Sequence, residues 1–255
     1  MKKLIIGSIF VIATLAPNAV SADTITISGT ITDKEGQPVS KCDVFFNKEA
    51  WITDDSVHVQ CDKNGRYSAE IKAGHYNSFY VCDEEEYGKT ALEFWGWNLN
   101  FTKNQTLDAA FDTLEVYSLS TWASNGGSNS VFGSFRPMSL KKPVYRNLEL
   151  NGKTIAVMDI TPSVDMHSIA GSIDDTPLKL VNYNWTYEKV ANCSGAPDDI
   201  STENGCYMPM IIAQFEKPQM AAGQHTFKIR LTDAETGNIG EGITHFTSNS
   251  KNLGF

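Results

Sequence analysis

Five histidines, His58, His75, His167, His225 and His245, are the side chains best suited to ligate zinc or relay protons. Zinc peptidase chemistry wants two of them one helical turn apart with a glutamate beside them as base. None of the five has such a neighbour, and each falls in or beside a strand-like pattern as an ordinary sheet residue, so no metal is implied. An activated serine wants Gly-x-Ser-x-Gly on a sharp strand-to-helix turn. Gly126-Gly127-Ser128-Asn129-Ser130 lacks the second glycine and any following helix, and reads as a long loop or hairpin tip. No glycine-rich phosphate turn and no dinucleotide fingerprint is present, so no cofactor is expected. Asp83-Glu84-Glu85-Glu86 could hold a divalent cation, but a solvated loop is the simpler reading. Glycoside hydrolysis needs only two carboxylates across a cleft, which residue spacing in a chain of strands neither locates nor excludes. A hydrolase with an unrecognised carboxylate pair therefore stays open as an alternative.

The constellation able to bind something is aromatic. Phe94, Trp95, Trp97 and Phe101 crowd the stretch ALEFWGWNLNF, with Tyr80 and Trp122 as further members. Exposed rings on a sheet offer flat apolar faces for sugar stacking, and Asn98 and Asn100 could exchange hydrogen bonds with hydroxyls. The expected ligand-binding set is Trp95, Trp97, Phe94, Asn98 and Trp122. Two other uses compete for the same rings. Trp95 and Trp97 share one face and could fill a core or the junction between two halves, or they could anchor a protein interface.

Strands must position these side chains. Between Ile27 and Tyr76 the chain reads ISGTITDKEGQPVSKCDVFF and then CDKNGRYSAEIKAGHY, alternating apolar and polar residues with an Asp-x-x-Gly turn in each stretch. Alternate side chains of a strand face opposite ways, so Ile25, Ile27 and Ile31 can line a core while the intervening residues meet water. The same period of two returns in Leu114 to Leu119 and, further on, in Lys153 to Ile160, His167 to Ile173, Leu178 to Tyr187, Tyr207 to Phe215, His225 to Asp233 and Ile239 to Phe246. No helical stripe is sustained, and short strands between turn signals read as sandwiches. AAGQHTFKIRLTDAETGNIGEGITHF reads as a terminal hairpin, with His225, Phe227, Ile229 and Leu231 on one face.

The chain has 255 residues and a formal net charge of −9, which argues against a basic face for nucleic acid. Lys2 and Lys3 precede an apolar run from Leu4 to Leu15 and then Val20-Ser21-Ala22, the pattern of a cleaved export signal too short to span a bilayer. Export to the periplasm or beyond, without membrane insertion, is the expectation. Five cysteines then meet an oxidising compartment. Cys193 and Cys206 bracket a polar loop whose closure a disulfide would stabilise by roughly 3 kcal/mol. Of Cys42, Cys61 and Cys82 one is left over, and either Cys61 with Cys82 or Cys42 with Cys61 could pair.

The stretch 24–82 resembles the carboxypeptidase regulatory-like domain, a transthyretin-like β-sandwich, in its order of strand, Asp-x-x-Gly, Pro-Val, Asp-x-x-Gly-x-Tyr and Ala-Gly-x-Tyr. Cys42 stands where that family carries a small residue. The terminal hairpin is similar to the last strands of bacterial immunoglobulin-like modules, with its Gly-x-His-Thr entry and Thr-Asp-x-x-x-Gly-Asn turn. Neither resemblance implies a catalytic residue. The expected organisation is all-β: a signal at 1–22, a carboxypeptidase regulatory-like sandwich at 23–112, a connecting strand and Gly/Ser loop at 113–143, an immunoglobulin-like sandwich at 144–250 and a tail at 251–255. The expected function is an exported, non-catalytic binding module with a glycan placed ahead of a protein partner. A structural or protein-interaction subunit of an envelope or secreted assembly is the alternative, and the oligomeric state is left open.

Overall fold

The computed structural model describes residues 23–49, 51–124 and 129–248; the expected signal, the tail and the glycine-rich 125–128 lie outside them. Among the described residues every regular element is a strand. The first group is β1 (Thr24–Thr32), β2 (Asp43–Asn47), β3 (Val57–Gln60), β4 (Arg66–Lys72), β5 (Gly74–Cys82), β6 (Phe94–Phe101), β7 (Gln105–Thr106) and β8 (Ala109–Ala110). A hairpin of β9 (Leu114–Ala123) and β10 (Ser130–Ser139) follows. Then come β11 (Val144–Leu150), β12 (Lys153–Asp159), β13 (Ile169–Ile173), β14 (Thr176–Leu178), β15 (Leu180–Val190), β16 (Cys206–Glu216), β17 (Gly223–Thr232) and β18 (Ile239–Ser248).

The Asp-x-x-Gly turns form as their chemistry predicts. Asp33 and Asp62 each accept backbone N–H groups two and four residues on, and Gly36 and Gly65 adopt the positive φ that closes the turn. Three sheets result. A four-stranded sheet runs β4-β1-β7 with β8 also on β1, and a six-stranded sheet runs β11-β12-β16-β10-β9 with β15 on β16. The third is eight-stranded, in the order β14-β13-β17-β18-β6-β5-β2-β3.

This long sheet serves two cores from opposite faces. Val44, Phe46, Phe79, Val81 and Phe94 meet Ile25, Ile27 and Ile31 of the small sheet in the first core. Phe227, Ile229 and Leu231 meet Val131, Phe135, Ile211 and Phe215 of the six-stranded sheet in the second. Directly paired residues share a face. Gly242 pairs with both Ile229 and Trp95, so Trp95 belongs to the second core's side of the sheet. The seam is the parallel pairing of β6 with β18, which makes one continuous sheet of the two sandwiches.

The segment 113–143, expected as a connecting strand and Gly/Ser loop, holds two strands. It supplies β9 and β10, and its Leu114, Val116, Leu119, Val131 and Phe135 fill the second core. The apolar residues on either side of the glycine-rich stretch are what find a partner sheet.

Cys193 and Cys206 are bonded, and of the two alternatives in the first half Cys42 pairs with Cys61. Cys42 and Cys82 lie on opposite faces of their strands: Cys42 turns into the first core, and Cys82 shares the face of its partner Asp43. Cys82 stays a buried free thiol, which burial pushes up to about 11 and so keeps protonated and unreactive. The acidic run 83–86 is a turn in which Asp83 accepts the Glu85 and Glu86 N–H groups.

A cleft at the junction of the two sandwiches

On the face opposite the first core, rings form a ladder across the strands. His58 stacks on Phe45 at 4.3 Å, Phe45 meets Tyr80 at 5.8 Å, Tyr80 meets Trp95 at 4.6 Å, and Trp95 stacks on Trp97 at 4.8 Å and 12°. Cross-strand pairing aligns them, since His58 faces Phe45, Phe45 faces Tyr80 and Tyr80 faces Trp95. Asn98 ends the ladder. Its φ of 51°, in the left-handed region that asparagine tolerates, breaks the alternation of β6. Beyond it Leu99 and Phe101 turn back into the first core.

A second irregularity brings β9 onto this ladder. Ser120 pairs with Ser134 but Tyr117 pairs with Arg136, so β9 spends one residue more than β10 over the same interval. Ser118 takes up the excess at φ 58°. Such a bulge re-aims the side chains beyond it. Ahead of the bulge Leu114 and Val116 face the second core while Glu115 and Tyr117 are turned the other way; past it the facing residue is Leu119. Tyr117 then sits edge-on to Trp95 and Trp97 at 5.4 and 5.1 Å. The Arg136 guanidinium lies 4.4 Å over the Tyr117 ring and pairs with Glu188 at 2.9 Å. Gly242 makes the crossing possible: a Cβ there would stand 2.9 Å from the Val116 carbonyl oxygen.

The step between the long sheet and the edge of the six-stranded sheet is a cleft of about 780 Å³. Glu93 and Trp95 line its first-sandwich side, Glu115, Tyr117, Arg136 and Glu188 the second, and Trp51 and Tyr87 stand at the surface. Glu115 is 1 % exposed and Glu93 7 % exposed. Neither Glu115 Oε1 nor Glu93 Oε2 has a hydrogen-bond partner, and the Trp95 indole N–H lies beside both carboxyls without meeting hydrogen-bond geometry to either. Burial, then the neighbouring Glu93 charge, push Glu115 well above the usual carboxylate range, with Arg136 pulling against them. Burial raises Glu93 as well, with its own backbone N–H, the Tyr87 hydroxyl and the Trp95 N–H pulling against it.

The structure divides the five residues expected to bind a ligand. Trp95 lines the cleft, and Trp97 stacks behind it as part of the second core's wall. Phe94 is corrected to a core residue, since alternation turns it to the opposite face, into the first core. Asn98 is an exposed residue of β6 at its positive-φ break. Trp122 is 42 % exposed on the outer face of the six-stranded sheet, away from the cleft lining. The histidines are held locally: His58 by Asp43, His225 by Asp174 at 2.6 Å, and His245 by accepting the Asn100 N–H. Sequence reasoning missed Glu93, Glu115, Tyr117 and Arg136. The available signal was a glutamate within each of two strongly apolar strand patterns, LEFW and LEVY.

No protein-family model matches the sequence, and no curated protein does. Among solved structures the chain is similar to a candidate carbohydrate binding protein of Bacteroides uniformis, at 10 % identity over 88 % of this chain and 99 % of that one, TM-score 0.28. It is also similar to the major pilin SpaD of Corynebacterium diphtheriae, at 8 % identity over 93 % and 71 %, TM-score 0.29. A third is the major pilin subunit BcpA of Bacillus cereus, at 9 % identity over 88 % and 69 %, TM-score 0.27. Likeness at this level carries no functional weight, so function is argued from the cleft.

Proposed function

We propose that the protein is an exported, non-catalytic binding module that takes a carbohydrate in the cleft between its sandwiches. One observation carries this reading. One carboxyl oxygen each of Glu93 and Glu115 without a hydrogen-bond partner and the ill-matched Trp95 N–H stand together beside the rings of Trp95, Tyr117, Trp51 and Tyr87. Buried polar atoms of both kinds ask for a partner that donates and accepts, and a sugar hydroxyl does both while its C–H face stacks on a ring. Two disulfides support an oxidising destination, in keeping with the amino-terminal signal pattern. Among the described residues no helix is long and apolar enough to cross a membrane.

A glycan array probed with labelled protein tests the reading. Trp51, 65 % exposed, can be removed without disturbing a core, so Trp51→Ala should fold normally and lose about tenfold in affinity, the worth of one stacking contact. No retained glycan, or retention equal in wild type and Trp51→Ala, rejects it.

The two glutamates also favour a second reading, glycoside hydrolysis. That reaction needs one carboxyl kept protonated and the other ionised. Here burial lifts both, which is why binding is placed first. Release of new reducing ends from a bound glycan, abolished by Glu115→Gln, would reverse that order.

A further inference from the structure

The cleft opens onto a surface the aromatic strand does not explain. On β10 the residues alternating with core members Val131 and Phe135 are Phe132, Ser134 and then Arg136 at the cleft. On β16 those alternating with Ile211, Ala213 and Phe215 are Met210, Ile212 and Gln214. Register extends the same outer face sideways: Trp122 pairs with Phe132 and Ser120 with Ser134 on β9, while Thr186, Asn184 and Asn182 of β15 pair with Met210, Ile212 and Gln214. Trp122 and Phe132 stack at 5.5 Å and 10°, so their rings lie nearly parallel. In a chain with a net charge of −9, the outer-face positions just named, Arg136 apart, carry no charged side chain, and Glu216, next after Gln214 on the same face, is neutralised by Lys179. The first charges met on approaching the cleft, Arg136 and Glu188, neutralise one another at 2.9 Å.

We infer that this face is a second subsite for the ligand of the cleft, and that the ligand is an extended, uncharged polysaccharide which leaves the cleft past Arg136 and runs along the strands to the Trp122–Phe132 stack. The inference rests on the carbohydrate reading of the cleft and deepens it. Phe132 is four residues along β10 from Arg136, about 13 Å at the rise of a strand, so a short oligosaccharide fills one site and a longer chain is needed to reach both. With charge present only as the ion pairs at its two ends, the face lacks the unpaired charge that an acidic glycan or a basic peptide would use. Ser, Thr, Asn and Gln side chains offer neutral donors and acceptors between the two aromatic ends. A chain held at two linked sites gains affinity with length, because the second contact becomes intramolecular.

The test uses purified protein, soluble mixed-linkage β-glucan, galactomannan and dextran, polygalacturonate as the acidic comparison, and a size series of oligosaccharides from whichever neutral polymer retards the protein in affinity electrophoresis. Calorimetry should show affinity climbing about tenfold or more once the oligosaccharide outgrows the cleft. Trp122→Ala should remove that gain and leave the short-oligosaccharide affinity unchanged; Trp51→Ala should weaken short and long ligands alike. Affinity that ignores chain length, or a length gain that survives Trp122→Ala, overturns the second subsite while leaving the cleft reading intact. Binding to none of the neutral polymers or their fragments rejects both. Tighter binding of polygalacturonate, or a dimer in sedimentation that Trp122→Ala dissolves, assigns the face to another occupant and also overturns the inference.

Discussion

Replacing Glu115 with glutamine should make the protein less sensitive to rising pH. The carboxyl is 1 % exposed, lies near Glu93 and is raised well above its ordinary 4.5. A group whose folded value exceeds its unfolded value holds its proton more tightly in the native state. Its stabilising contribution is complete below the unfolded value and is lost as pH climbs toward the folded one. One such proton tilts stability by about 1.4 kcal/mol per pH unit across that window. For a chain of this size that is about 3–6 °C in melting temperature per unit. Glutamine keeps the shape and cannot ionise. Thermal melts of the two proteins at intervals from about pH 4 to 8 should coincide in slope below 4.5 and then diverge, the variant gaining with each step. Because the two carboxyls titrate as a pair, Glu93→Gln should remove part of the same slope by taking away the like charge. A difference between variant and wild type that stays flat across the range would refute the buried, proton-holding pair.

Two further outcomes test the frame around the cleft. Gly242→Ala places a methyl 2.9 Å from the Val116 carbonyl oxygen and Cγ1, and should cost about 1–3 kcal/mol in the urea midpoint as β9 is pushed off β18. Replacing Cys42 and Cys61 together by alanine opens a loop of sequence separation 19 and should cost about 3 kcal/mol, with unfolding still a single transition because both cores share the long sheet.

The strands and their turns were legible because period two and Asp-x-x-Gly chemistry are local. Ile25, Ile27 and Ile31 face the core that their alternation predicts. The pairing of β6 with β18 was not legible, since it joins residues near 95 to residues near 243 through backbone bonds that name no side chain. The site was hidden for a different reason. Nothing in an alternating strand pattern marks Glu93 or Glu115 as buried, and it is the bulge at Ser118 and the covering rings that bury them. A non-glycine residue at positive φ leaves almost no mark in sequence, so neither Ser118 nor Asn98 announced that the alternation would break there. Trp95 stood out in sequence as part of an aromatic strand, but the core or ligand question depended on which neighbour covered it, and β9 lies on the far side of the turn at Asp112.

The seam between β6 and β18 also bears on the order of assembly. A chain delivered amino end first can build β1 to β6 early, yet the hydrogen bonds along the free side of β6 wait for the last strand. Until Ile239–Ser248 arrives, that side is a raw template to which any extended segment could attach. β18 is therefore the latch between the two sandwiches, and loss of Ile239–Ser248 should yield aggregates rather than an intact first sandwich.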